Sequence, residues 1–174
     1  MALVVEDGTG KTTAESYIAV ADANTYHTAR GNSTWTGEDG VKEAALRKAT
    51  AYLDGRYRDR WRGKRSTKDQ ALAWPRLGGV DSDGYGIDPD SVPAAVAYAC
   101  AELARLVIEG VDLTPTLERG GRTTSESVKV GPIEESKTYA SSAPVRSTLT
   151  IVDDLLGAVL SRKAASGSAF LDRA

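Results

Sequence analysis

Residues 92–108 constrain this chain more than any other segment, because only Tyr98, Glu102 and Arg105 carry polar groups there. Pro93 suits a first helical turn, where its missing N–H costs nothing. Gly110 lies just past the end, and Ser91 is placed to cap the start. A helix that is apolar nearly all round is a central one, and the rest of the fold must wrap it. A second long helix is predicted from about Val41 to Tyr57. Val41, Ala45, Ala49, Tyr52 and Leu53 recur at helical spacing, and Glu43 precedes Arg47 by four residues, the favourable order for an ion pair. Before it, Ser16 to Val20 reads as extended, and Asp22 as the N-cap of a short helix ending near Gly31. A last helix is expected over about Ile151 to Arg162. The sequence therefore predicts a mainly α fold: a small helical bundle with a β-hairpin-like arm or long loop and an extended C-terminal segment. The divisions are a helical core at 1–117, the arm at 118–150, and a C-terminal helix and tail at 151–174.

The arm is set apart by composition. Residues 118–150 are rich in Gly, Ser, Thr and Arg, with Val128-Lys129-Val130-Gly131-Pro132-Ile133 reading as two short strands about a turn. A connection this long in a compact domain is usually functional or disordered. Residues 78–90 form a second turn-rich stretch. Between the two long helices, Trp74-Pro75 predicts a turn with an anchoring indole, since the residue before proline is pushed out of the helical region.

Several chemistries are excluded by what the chain lacks. One cysteine, Cys100, allows no internal disulfide and no multi-cysteine metal framework, and one histidine, His27, allows no multi-histidine site. No apolar run approaches the ~20 residues of a membrane span. The first six residues have no basic region before Leu3-Val4-Val5, so a secretory signal is not expected. No cofactor is expected either.

The apparent motifs weaken on inspection. Gly8-Thr9-Gly10-Lys11-Thr12 ends like a phosphate-binding loop, but position 5 is valine rather than the glycine that loop needs. Asp81, Asp83, Asp88 and Asp90 hint at calcium, yet Tyr85 stands where a ligand should, so turn chemistry and helix capping are the cheaper reading. His27 and Cys100 have no third partner that would make a nucleophile and base, and Cys100 lies on the most apolar helix. Glu134-Glu135 and Asp153-Asp154 are adjacent, so their side chains diverge. No catalytic residues are assigned, and the chain is not expected to be an enzyme.

One charge run stands out. From 42 to 68 there are ten Lys/Arg against three Asp/Glu, a local balance of +7 in a chain whose net charge is -2. Its densest part is Arg56, Arg58, Arg60, Arg62, Lys64 and Arg65, interleaved with Tyr57 and Trp61. Cations neutralise phosphates and aromatic rings stack on bases, so nucleic-acid proximity is one reading. A solvated helix end, where cations favour the dipole, is the other.

Taken in order, several segments resemble one family: Glu15-Ser16-Tyr17-Ile18 into Ala21-Asp22-Ala23 and Tyr26-His27, Trp35, Lys42 to Asp54, Ala71 to Arg76, Asp81 to Tyr85 before Val92 to Val96, and Gly131 to Glu134. The set is similar to phage head–tail adaptors (connectors), a family often labelled DnaT-like single-stranded DNA binding protein. The resemblance covers most of residues 1–160. It implies a virion protein made in the host cytoplasm, a ring of usually twelve copies beneath the portal that extends the DNA channel. Its partners would be its own copies, the portal, a tail-side neck, stopper or tail-terminator protein, and passing DNA without sequence specificity. The basic residues 56–65 would then line the channel or meet a neighbouring subunit. Leu155, Leu156, Phe170 and Leu171 would face the portal or an adjacent copy. The alternative function is single-stranded DNA binding through 56–65.

Overall fold

The computed structural model describes residues 2–114, 125–130, 133–138 and 149–161. The chain divides into two compact units, one formed by Met1–Leu113 with Ile151–Ala174, the other by Thr114–Thr150. The mainly α reading holds.

In the first unit, helix α1 spans Val20–Ala29, α2 spans Asp39–Arg56, and a minimal antiparallel ribbon pairs β1 (Lys64–Arg65) with β2 (Arg76–Leu77). Helix α3 spans Ala94–Ile108 and is the centre of the unit: Val96 and every residue from Ala99 to Ala104 are buried. Its main partner is α2, with α1 packed against both. Ala99, Cys100, Ala101 and Ala104 are small, so α2 approaches closely and sets Leu46, Ala49, Thr50 and Leu53 against them. The approach is close enough for the Thr50 hydroxyl to lie 3.2 Å from Cys100 Sγ. Beyond α3, Gly110 takes the left-handed conformation (φ +88°), and the Val111 amide closes back on the Leu106 carbonyl at 2.9 Å, the C-terminal stop expected of a glycine there.

Three predicted boundaries are corrected. Helix α1 begins before Asp22, with Ala19 at the N-cap position and Asp22 in the first turn. Buried Ser16 explains the early start. Its hydroxyl donates to the Ile18 carbonyl (2.9 Å) and accepts from the Ile18 amide (3.2 Å), turning the chain before Val20. The extended reading of 16–20 ends at Ala19, since Val20 is already helical, and its strand pairing is one bridge, Val5 to Ser16. Ser91 does not cap α3. Its hydroxyl turns to the Asp88 carbonyl, and Pro93 occupies the N-cap position.

The last helix, α4, is shorter than predicted and spans Thr150–Leu156. After it the chain bends to pair with the basic segment. Leu160 bridges Trp61, the Arg62 amide reaches the Val159 carbonyl (3.3 Å), and the Ser161 amide reaches the Arg60 carbonyl (2.7 Å). Those pairings need an extended backbone, so the helix stops.

The second unit contains a hairpin of β3 (Ser125–Val130) and β4 (Ile133–Thr138), antiparallel from Ser125↔Thr138 to Val130↔Ile133. Of the two forms expected for the arm, the hairpin is the one observed.

Candidate functional site: a cationic cleft beside the second helix

The glycine-rich turn near the N-terminus holds an anion, and the anion is its own. Buried Glu6 accepts the amides of Gly8 (2.9 Å), Gly10 (2.9 Å) and Lys11 (2.8 Å). Neighbouring amides converging on one carboxylate, with the Thr9 amide turned to Asp7, form the kind of concavity that cradles phosphate. Glu6 fills it, and Lys11 Nζ is engaged by the Val5 carbonyl and by Asp7. The turn is also wedged in place. A Cβ on Gly8, whose φ is +101°, would lie 1.9 Å from the Asp90 carbonyl oxygen. This turn is built as a structural plug.

His27 and Cys100 do not pair. His27 is buried, with Nε2 3.2 Å from the Ala101 carbonyl and Nδ1 2.9 Å from the Asn32 amide nitrogen. Burial lowers its pKa below 6.5. Burial also pushes the Cys100 thiol up to about 11. The aspartates of 81–90 are turn formers: Asp81 Oδ1 accepts the amides of Asp83 and Tyr85, and Asp88 Oδ1 accepts that of Asp90. The helix-capping part of their expected role fails, since Pro93 is the N-cap of α3. Among the described residues no group of His, Cys, Asp and Glu could hold a metal ion, and no helix is long and apolar enough to cross a membrane.

The basic stretch divides into two sets. Arg60 and Arg62 are staples. Arg62 donates from Nε to the Leu160 carbonyl (3.0 Å) and from Nη1 to those of Val80 (2.8 Å) and Asp81 (2.9 Å), while Arg60 lies 3.8 Å from Asp153. Tyr57 and Trp61 are buried, at 2% and 6% exposure, and the Tyr57 hydroxyl donates to Asp153 (2.8 Å). Stacking of either ring on a base is thereby corrected, since both are inside the fold. The other set is exposed: Arg56, Arg58, Lys64 and Arg65.

Arg58, Lys64 and Arg65 share a cleft of about 750 Å³ with Asp54, Trp61, Ala73 and Arg76. No motif marks Asp54 or Arg76 as a site residue, because each is defined by its bonds. Arg76 reaches the carbonyls of Arg62 (2.8 Å), Ala73 (3.1 Å) and Gly63 (2.6 Å), and its burial lowers its pKa. Asp54 accepts the Tyr17 hydroxyl and the Ala73 amide (2.9 Å), and burial raises its pKa. Tyr17, buried against that carboxylate, is raised far above the ordinary phenol range. Gln70 braces the wall, donating to the carbonyls of Leu72 (2.9 Å) and Pro75 (3.0 Å). Fully buried Trp74, before a cis bond to Pro75, supplies the predicted anchor. The result is a rigid concave surface with a cationic rim.

The portal-facing prediction for Leu156 is corrected, since it is fully buried in the protein's own core beside Val152. Its helix packs its apolar face inward, and that leaves nothing of Leu156 to offer a partner. Leu155 is half-buried. Phe170 and Leu171 lie outside the described residues.

A family model described as "Putative DnaT-like ssDNA binding protein" matches residues 1–174. No curated protein and no solved structure matches the chain.

Proposed function

The chain belongs to the DnaT-like ssDNA binding protein family, and from that premise we propose that its work is structural: a head–tail adaptor subunit of a phage particle, without catalytic activity. The observation that carries this reading is the hairpin β3–β4, which lies in a compact unit distinct from the helical one. Two strands alone are marginal in water and need a covering surface. An arm of this kind serves a chain whose stable form is an assembly. The partners proposed are further copies in a closed ring, the portal, and a tail-side neck protein. The setting proposed is the head–tail junction of the virion. The test is to mix the purified chain with portal protein and to search intact particles for it. Co-migration and presence in particles are expected; absence of both ends the reading.

A second reading, single-stranded DNA binding, is favoured by the exposed cations of the cleft and by the family description. It predicts that Arg58→Ala with Lys64→Ala abolishes a salt-sensitive affinity for an oligonucleotide. Arg62 is a poor probe, because its bonds to the Leu160, Val80 and Asp81 carbonyls hold the fold together. The buried state of Tyr57 and Trp61 argues against this second reading, since strand binders without sequence preference rely on open aromatic faces.

A further inference from the structure

We propose that the cationic cleft receives the 79–88 hairpin of a second copy of this chain. The inference rests on the assembly reading above and names the contact between copies.

The cleft has the chemistry of a receptor for an acidic knob. Arg58, Lys64, Arg65 and Arg76 surround it, and its one acid, Asp54, is already bound by Tyr17 and Ala73. Among the described residues no ion pair reaches Arg58 or Lys64. Trp61, which lines the cleft, carries a buried indole N–H with no acceptor among the described residues. That N–H is enclosed within the fold, so what a docking partner meets is the charge of the rim and not the indole.

The knob is preformed. The Ile87 amide bonds the Gly79 carbonyl (2.9 Å), the Asp81 amide bonds the Tyr85 carbonyl (2.8 Å), and Val80 bridges Gly86. The Asp81 carboxylate is engaged inside the turn. Asp83 and Asp88 are exposed on either side of Tyr85, which is itself 74% exposed, with one Asp88 oxygen holding the Asp90 amide. Arg62 pins the root of the hairpin through Val80 and Asp81. A rigid aromatic tip flanked by carboxylates loses little entropy on docking, and its charge complements the cleft. Knob and cleft are different patches, so each copy gives one contact and receives another. Such heterologous contacts propagate into a ring or a filament.

Charge reversal tests the fit. Sedimentation of the full chain should show self-association that weakens with added salt. Asp83→Lys with Asp88→Lys, and separately Arg58→Glu with Lys64→Glu, should each weaken it about tenfold or more. Mixing the two variants should restore assembly, because each then offers the charge the other lacks. Tyr85→Ser should weaken association with no change in melting. Four results overturn the proposal: a native chain that stays monomeric, a knob variant that assembles like the native chain, folded variants that fail to recombine, or a cleft that binds oligothymidylate while the chain remains monomeric. If the chain is found in particles and recombination fails, this contact is wrong and the adaptor reading stands. If recombination succeeds and the chain is absent from particles, the reverse holds.

Discussion

Gly8, Gly10 and Lys11 turn their amides on Glu6, so this loop already holds its anion. Replacing Glu6 with Gln keeps the shape, removes the charge that strengthens those bonds, and turns one accepting oxygen into an NH2 donor that faces an amide. Destabilisation of about 1–3 kcal/mol is expected, read by urea denaturation. The loop's glycines were legible in the sequence, and so was its poor match to a nucleotide loop. That Glu6 occupies it was not, because a pattern of residue types records no hydrogen bonds. The same holds for Arg62, which read as an exposed cation and is tied to backbone carbonyls. His27 was legible only as a histidine without catalytic partners, and its burial gives a pH dependence. Its folded pKa lies below the ordinary 6.5, so below that pH the unfolded chain binds the proton more readily. Stability should therefore be full above about 6.5 and fall as pH drops through it, levelling off once the folded form is also protonated. Denaturation midpoints measured over roughly pH 5 to 8 should show this loss, and His27→Gln should flatten it.

The helices show where periodicity suffices and where it fails. Helices α2 and α3 announce themselves through spacing and composition, and both lie within a few residues of expectation. Helix α4 did not, because its end is decided by pairing with residues 60–62, about a hundred positions away in the chain. That pairing ties the segment after α4 to the stretch that follows α2. Leu156 and Val152 seal α4 from inside, and Tyr57 and Arg60 hold Asp153 at its edge. Leu156→Ala should cost about 2–5 kcal/mol. Amide exchange should then accelerate in 150–161 more than in α3. Uniform acceleration would show that α4 does not open by itself. Tyr57→Phe, which removes one hydrogen bond at the same seam, should cost about 1 kcal/mol by the same denaturation measurement.

On the scale of the molecule, the proposed adaptor role assigns the two units different duties. Replacing residues 118–146 with a Gly/Ser linker should leave the melting temperature of the helical unit unchanged and abolish co-migration with portal. A fall in melting temperature would mean the hairpin unit supports the core. The mainly α architecture and the separate arm were legible from composition and spacing. The cleft was not, because it is assembled from Asp54, Arg58, Lys64 and Arg76 only when the β1–β2 ribbon closes. The three buried tryptophans have a further use. Trp35 lies against His27 with ring centres 4.6 Å apart, while Trp61, beside the α4 tie, meets Trp74 edge-on at 5.8 Å. The protein thus contains its own optical gauges. Emission from Trp35 should dim as its neighbour acquires a proton, and emission from Trp61 should redden when α4 lifts and water enters. With single-tryptophan variants, one cuvette could follow acid sensitivity and the seating of α4 as separate colours of signal, without any attached dye.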